Sequence, residues 1–212
     1  MKGVLCFGDS NTYGTPPMAS PDDQSRFDHM TRWPGVARAK LGPGWHIVEE
    51  GLPGRTTVLD DPIEGWQKNG QRYLLACLES HRSLDAVVLL LGTNNLKARF
   101  HQPAQDIAAS IDILAGIIQS TDNWGRPAPR LLIVCPPPIL DAGWLGAMFE
   151  GGVEKSKRLP QFYREVAQRR GASFLDAGKI VTSSGVDGIH FDETEHRKLG
   201  EAIAGDLERM MA

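Results

Sequence analysis

Apolar residues in this chain fall in short unbroken runs separated by longer stretches with helical spacing. Val4-Leu5-Cys6-Phe7 is the first run, and Ala86-Val87-Val88-Leu89-Leu90-Leu91 is the longest. Runs of this length without polar alternation mark strands buried on both faces of a parallel sheet. The pattern predicts strands over residues 3–7, 46–50, 85–91, 130–135 and 173–176. Helices are predicted over residues 33–41, 70–81, 103–120, 154–170 and 193–210. Ile107, Ile111, Leu114 and Ile118 recur at helical spacing and define one buried face of the third helix. Pro160 is expected to kink the fourth helix or to mark its effective start. Strands alternating with helices indicate βαβ units, hence an α/β fold of three α/β/α layers around a five-stranded parallel sheet, with a flavodoxin-like strand order.

Three connections are too long to be plain links: residues 13–32, 51–69 and 136–152. Each follows a strand, so all three project over the same edge of the sheet, where long loops usually serve a site. The third carries Ile139, Leu140, Trp144, Leu145, Met148 and Phe149. So many large apolar groups must pack over the site, against another subunit, or both.

With 212 residues the chain is expected to form one domain, residues 1–212, with a substantial core. A formal net charge of −3 gives no basic field for nucleic acid. No apolar run is long enough to cross a bilayer, and the first strand begins too early to leave room for a signal peptide. Three cysteines argue against a disulfide framework and read as buried thiols, so the expected location is cytoplasmic.

The candidate chemistry lies at the two ends of the chain. Ser10 follows the first strand after Gly8-Asp9, where open α/β sheets bind ligands. Asp187 and His190 stand three residues apart near the C-terminus. A serine hydroxyl needs a base to take its proton, and histidine titrates near neutrality. A carboxylate close by in sequence can fix the imidazole tautomer and stabilise the imidazolium, the general logic of a serine triad. Two other readings remain open: a satisfied core histidine beside a turn aspartate, and a metal site from His190, Asp192 and His196. The latter spacing fits no standard zinc pattern, and Glu193 and Glu195 read as an exposed first helical turn. No Gly-x-Ser-x-Gly elbow occurs, which argues against an α/β-hydrolase.

Five ordered blocks carry a family likeness: Gly8-Asp9-Ser10, Glu49-Glu50-Gly51-Leu52 with Arg55-Thr56-Thr57, Gly92-Thr93-Asn94, Pro136-Pro137-Pro138 and Gly185-Val186-Asp187-Gly188-Ile189-His190. Together they resemble the SGNH (GDSL-like) serine hydrolases over nearly the whole chain, and most of all the bacterial arylesterase/acyltransferase branch. The resemblance implies Ser10 as nucleophile and Asp187 and His190 as its partners. It also implies an oxyanion hole from the backbone N–H groups of Ser10 and Gly54 and the side-chain amide of Asn94. No cofactor or metal is expected. The implied activity is hydrolysis of short-chain, acetyl-type acyl or aryl esters through an acyl-enzyme, with an alcohol able to compete with water as acceptor. The resemblance further implies a homo-oligomer, whose other partners are small-molecule esters rather than nucleic acid or membrane. Alternatives are a carbohydrate acetyl esterase, a thioesterase or lysophospholipase, and a binding protein that has lost catalysis.

Two positions depart from the family pattern. Asn11 stands where Leu is common and is expected to put a polar amide beside the acyl site. Asn95 stands where Asp is common, weakening any support that a carboxylate would lend. Asn11, Lys97, Trp144, Phe149 and Ile189 are expected to line the substrate pocket, with Lys97 alternatively an exposed lysine of no role. Trp66, Trp144, Met148 and Phe149 either narrow the entrance or simply pack. Asp9 is expected to hold the turn around Ser10. Arg55 is expected to pair with Asp60, Asp61 or a partner subunit.

Overall fold

The computed structural model describes residues Met1–Ala212. The chain begins with strand β1 (Lys2–Gly8), a single helical turn α1 (Ser10–Tyr13) and helix α2 (Trp33–Leu41). Strand β2 (Trp45–Gly51), helix α3 (Gly70–Ser80) and strand β3 (Ala86–Leu90) follow. The rest is helix α4 (Ala104–Ser120), strand β4 (Arg130–Cys135), helix α5 (Gly152–Arg170), strand β5 (Ser173–Asp176) and helix α6 (Glu193–Met211). The strands form one parallel sheet in the order β2-β1-β3-β4-β5.

Side chains alternate across the three central strands, yet both faces are covered. Leu5, Phe7, Val87, Leu89, Leu131 and Ile133 pack under α3, α4 and α5. Val4, Cys6, Val88, Leu90, Leu132 and Val134 pack on the other face with Leu199, Ile203 and Leu207 of α6 and Trp33 of α2. This is the α/β/α sandwich expected from unbroken apolar strands, and all three cysteines are buried and free within it.

One of the two expectations for Pro160 in the fourth helix is not met. α5 runs without a break from Gly152 through Pro160 to Arg170, so Pro160 does not mark its start. Proline removes one backbone donor, but packing of α5 on α4, β4 and β5 carries the helix across it. The short turn α1 was not legible in the sequence, because four residues are too few to show a helical period.

Strand register sets the stage for the site. Gly8 of β1 lies level with Gly51 of β2 on one side and Leu90 of β3 on the other. The segments that follow these three residues therefore leave the sheet at one height. β1 is also the point where strand order reverses, the crevice that open α/β sheets use for ligands.

Candidate active site

Ser10 opens α1 directly after β1. Asp9 caps the turn by accepting from the Asn11 N–H at 3.0 Å. Burial pushes the Asp9 carboxyl up to about 6, against the pull of the Asn11 amide and of the His190 and Arg55 charges. Asp9 thus has the architectural place expected of it.

Asp187 and His190 reach the same spot from the loop before α6. Ser10 Oγ lies 3.0 Å from His190 Nε2, and His190 Nδ1 lies 2.6 Å from Asp187 Oδ2. Asp187 Oδ1 accepts from the Ile189 and His190 N–H groups, each at 2.9 Å, and Oδ2 also accepts from the Met18 N–H at 2.8 Å. Burial alone would raise this carboxyl; the His190 hydrogen bond and charge and the backbone donors outweigh it and hold it below the ordinary carboxylate range. A carboxylate kept ionised accepts from Nδ1–H, which leaves Nε2 free to accept the Ser10 hydroxyl proton. Gly188 has a φ of +79°, and a Cβ there would lie 2.2 Å from the Leu140 carbonyl oxygen, so the turn between Asp187 and His190 requires glycine.

Two further segments complete the crevice. After β2 the chain turns through Pro53-Gly54, where Gly54 has a φ of +78° and a Cβ would meet Glu64 Oε2 at 2.3 Å. After β3 a tight turn, Thr93–Leu96, presents Asn94. Ser10, Gly54, Asn94 and His190 all line one pocket of about 300 Å³. No hydrogen bond within the chain uses the Gly54 N–H or the Asn94 side-chain amide. Donors left free in this way are what a developing oxyanion needs.

Of the expected pocket residues, Lys97, Trp144, Phe149 and Ile189 do line this cavity, together with Thr15, Met18, Leu145 and Met148. Asn11 does not. Its side chain turns under the site and donates to the Ile189 carbonyl at 3.2 Å, tying the Ser10 turn to the His190 loop. Lys97 is buried rather than exposed, paired with Asp61 and Glu64. Trp66 faces a different cleft, which it shares with Arg55, Arg72 and Tyr73, so it does not narrow this entrance.

Two other expectations, for Arg55 and Glu195, are corrected, and the rival metal reading is not supported. Arg55 pairs with no loop carboxylate: its Nη1 donates to the Gly8 carbonyl at 2.9 Å and to the Glu50 carbonyl, and its guanidinium lies over Phe7. Asp60 is taken by Arg72, and Asp61 by Lys97 and Arg99. Glu195 is buried, accepting from the Thr182 N–H at 2.9 Å. His190, Asp192 and His196 do not converge as a ligand set, because Asp192 caps α6 and His196 Nδ1 accepts from the Trp33 N–H at 3.3 Å. A separate trio, Glu50, Cys77 and His81, brings its ligand atoms within 4.8 Å of one another. Burial, with the Glu50 charge adding to it, pushes the Cys77 thiol up to about 12.

Asn95 acts as an anchor through three hydrogen bonds. It accepts from the Thr57 N–H at 3.0 Å and donates to Thr57 Oγ1 at 2.8 Å and Gln102 Oε1 at 2.7 Å. The neutral amide thus holds the loop after β2 against the end of β3. The apolar segment 136–152 largely finds its cover in its own chain, since Ile139, Leu145 and Phe149 are buried in the core. Sequence reasoning missed Met18, whose contribution is a backbone N–H, and Glu64, which carried no motif.

Residues 6–198 match the GDSL-like Lipase/Acylhydrolase family. The native aryl esterase of M. smegmatis superposes with a TM-score of 0.95 at 39% identity, over 99% of each chain. A carbohydrate acetylesterase from Sinorhizobium meliloti superposes with a TM-score of 0.94 at 40% identity, over 99% of this chain and 100% of that one. A putative arylesterase from Agrobacterium tumefaciens reaches a TM-score of 0.89 at 37% identity, over 99% of each chain. No curated protein sequence matches. No helix is long and apolar enough to cross a membrane.

Proposed function

This chain belongs to the GDSL-like lipase/acylhydrolase family, and as a carboxylic-ester hydrolase of that family we propose that it cleaves short-chain acyl and aryl esters with Ser10 as nucleophile. The single observation that carries the reading is the unbroken relay of 2.6 and 3.0 Å from Asp187 through His190 to Ser10, in a pocket with two uncommitted donors. His190 Nε2 takes the Ser10 proton as Oγ attacks the ester carbonyl. The carbonyl oxygen becomes an oxyanion facing the Ser10 and Gly54 N–H groups and the Asn94 amide. His190 then returns the proton to the leaving alkoxide, giving an acyl-Ser10 ester and a free alcohol. A water deprotonated by the same imidazole releases the acid, and Asp187 stabilises the imidazolium in both halves.

Pocket size supports short acyl groups, since about 300 Å³ is small for a lipid chain. That weighs against a thioesterase or lysophospholipase. The apolar wall of Met18, Trp144, Leu145, Met148 and Phe149 supports aryl alcohols and, by limiting water, acyl transfer to an alcohol acceptor. A carbohydrate acetyl esterase is the second reading, favoured by the polar corner of Glu64 and Lys97 in the same pocket. The intact relay supports catalysis over a decayed binding protein. Residues 1–212 are read as a single domain, a reading supported by strands from both halves of the chain lying in one sheet. Association into a homo-oligomer would cover the exposed Ile63, Trp66 and Trp144. Three unpaired cysteines support a cytoplasmic setting. Hydrolysis of p-nitrophenyl acetate beside a panel of acetylated sugars tests the assignment: turnover is expected on both with aryl acetate faster, and no turnover on any ester defeats it.

A further inference from the structure

Glu64 lies in the long connection between β2 and α3, and the relay of Ser10, His190 and Asp187 makes no use of it. Its side chain nevertheless lines the same pocket as Ser10 and Asn94. One oxygen, Oε1, is held by Lys97 Nζ and by Arg99 Nη2, the latter at 2.7 Å. Lys97 is 2% exposed and also contacts the fully buried Asp61 side chain at 3.4 Å. Two cations and two carboxylates thus neutralise one another, and the Lys97 ammonium is taken up within the cluster. The second oxygen, Oε2, receives no hydrogen bond from the chain. It rests over the Gly54 α-carbon, since a Cβ at that position would lie 2.3 Å from it.

A carboxylate oxygen left open in a pocket must find a donor in water or in whatever binds there. Because Lys97 and Arg99 pin the other oxygen, this acceptor is fixed in place beside the peptide that is to meet the ester carbonyl oxygen, and needs no reorganisation to be used. The same pocket is also lined by Met18, Leu145 and Phe149, whose side chains offer a bound hydroxyl no oxygen or nitrogen acceptor.

Resting on the esterase reading, we propose that Glu64 is a specificity-determining residue: its Oε2 accepts a hydrogen bond from a hydroxyl carried by the ester near its carbonyl and repels esters that carry an anionic group there. A site built around a substrate hydroxyl disfavours the analogue that lacks it, because the bound ester then displaces water from the acceptor without replacing its hydrogen bond.

The test compares kcat/KM for hydroxyl and methyl-ether pairs on either side of the ester. These are 2-hydroxyethyl against 2-methoxyethyl acetate, and ethyl glycolate against ethyl methoxyacetate, with acetoxyacetate as the anionic probe. The hydroxyl ester of one pair is expected to be preferred about tenfold, near the lower end for a hydrogen bond to a charged acceptor; which pair responds tells whether the alcohol or the acyl side faces Glu64. Glu64→Leu should bring that ratio close to one, mainly through KM. Glu64→Gln keeps an acceptor oxygen and should restore part of the hydroxyl preference while relieving the exclusion of acetoxyacetate. Equal loss on every probe in both variants would make Glu64 only a clamp for Lys97 and Arg99 and overturn the proposal, as would a wild-type ratio of one in both pairs. A wild-type protein inactive even on p-nitrophenyl acetate would instead defeat the esterase reading on which the proposal stands.

Discussion

The main-chain N–H of Met18 donates to Asp187 Oδ2 at 2.8 Å, the same oxygen that faces His190 Nδ1. The Met18 carbonyl in turn accepts from Trp144 Nε1 at 3.1 Å. One peptide segment therefore ties the carboxylate to the apolar wall of the pocket. All four of the hydrogen bonds made by Asp187 come from donors, three backbone N–H groups and the imidazole.

This all-donor shell makes Asp187→Asn costly in either amide orientation, since the new NH₂ must face donors whichever way it turns. We expect kcat to fall about 10³–10⁴-fold, through loss of the productive tautomer and of imidazolium stabilisation. Stability should drop by about 1–3 kcal/mol, the scale for an unmatched buried polar group. Steady-state kinetics with a denaturation curve checks both, and a loss of activity below tenfold would remove Asp187 from the relay.

Ser10→Ala should abolish ester hydrolysis while leaving the circular dichroism spectrum unchanged, because Ser10 is buried in contact with His190 and no larger group is introduced. A fluorophosphonate should add to Ser10 in the wild-type protein. Its recovery on another residue by mass spectrometry, or a variant keeping a tenth of kcat, would contradict the covalent route.

Asn94→Ala removes a side-chain donor that has no partner within the chain, so its effect should appear in turnover rather than folding. Loss of one oxyanion donor typically costs about 10²–10³ in kcat, or ~3–4 kcal/mol, with KM little changed. A drop smaller than fivefold would leave Asn94 as a turn residue only.

His196 provides a stability prediction independent of catalysis. Burial lowers its imidazole to about 4, with the nearby His190 and Arg32 charges in the same direction and Asp192 opposing. The folded state thus binds fewer protons than an unfolded chain whose histidine titrates at ~6.5, and stability falls as pH drops from about 6.5 towards 4. Between pH 7 and 5 the loss assigned to this group is about 2 kcal/mol. Urea denaturation of wild type and His196→Gln at both pH values should show a smaller decrease in the variant, and equal slopes would refute the assignment.

Association is the remaining test. Ile63 is 74% exposed and Trp66 65%, two large apolar side chains that a subunit contact would cover. Light scattering should find an oligomer at micromolar concentration. A stable monomer would show that these groups serve no subunit contact.

What the sequence determined by itself was most of what depends on local pattern. Unbroken apolar runs such as Val4–Phe7 report two covered faces, so the three central strands and the α/β class could be read directly. Ser10, Asp187 and His190 could be named from their spacing and their place at a strand end or turn, whereas Gly54 and Asn94 were implied by the resemblance of their blocks to those of the SGNH hydrolases. Tertiary structure decided which groups meet across the sheet edge. Arg55 found two backbone carbonyls instead of Asp60 or Asp61, and Asn11 turned beneath the site rather than into it. Glu64 lies in the connection after β2 and Lys97 and Arg99 in that after β3, with no sequence pattern linking their charges, and the Met18 donor belongs to the backbone, which any residue type but proline would supply. Pattern along a chain records what each residue does to its own helix or strand; partners brought together by strand register and loop packing are set by the folded geometry alone.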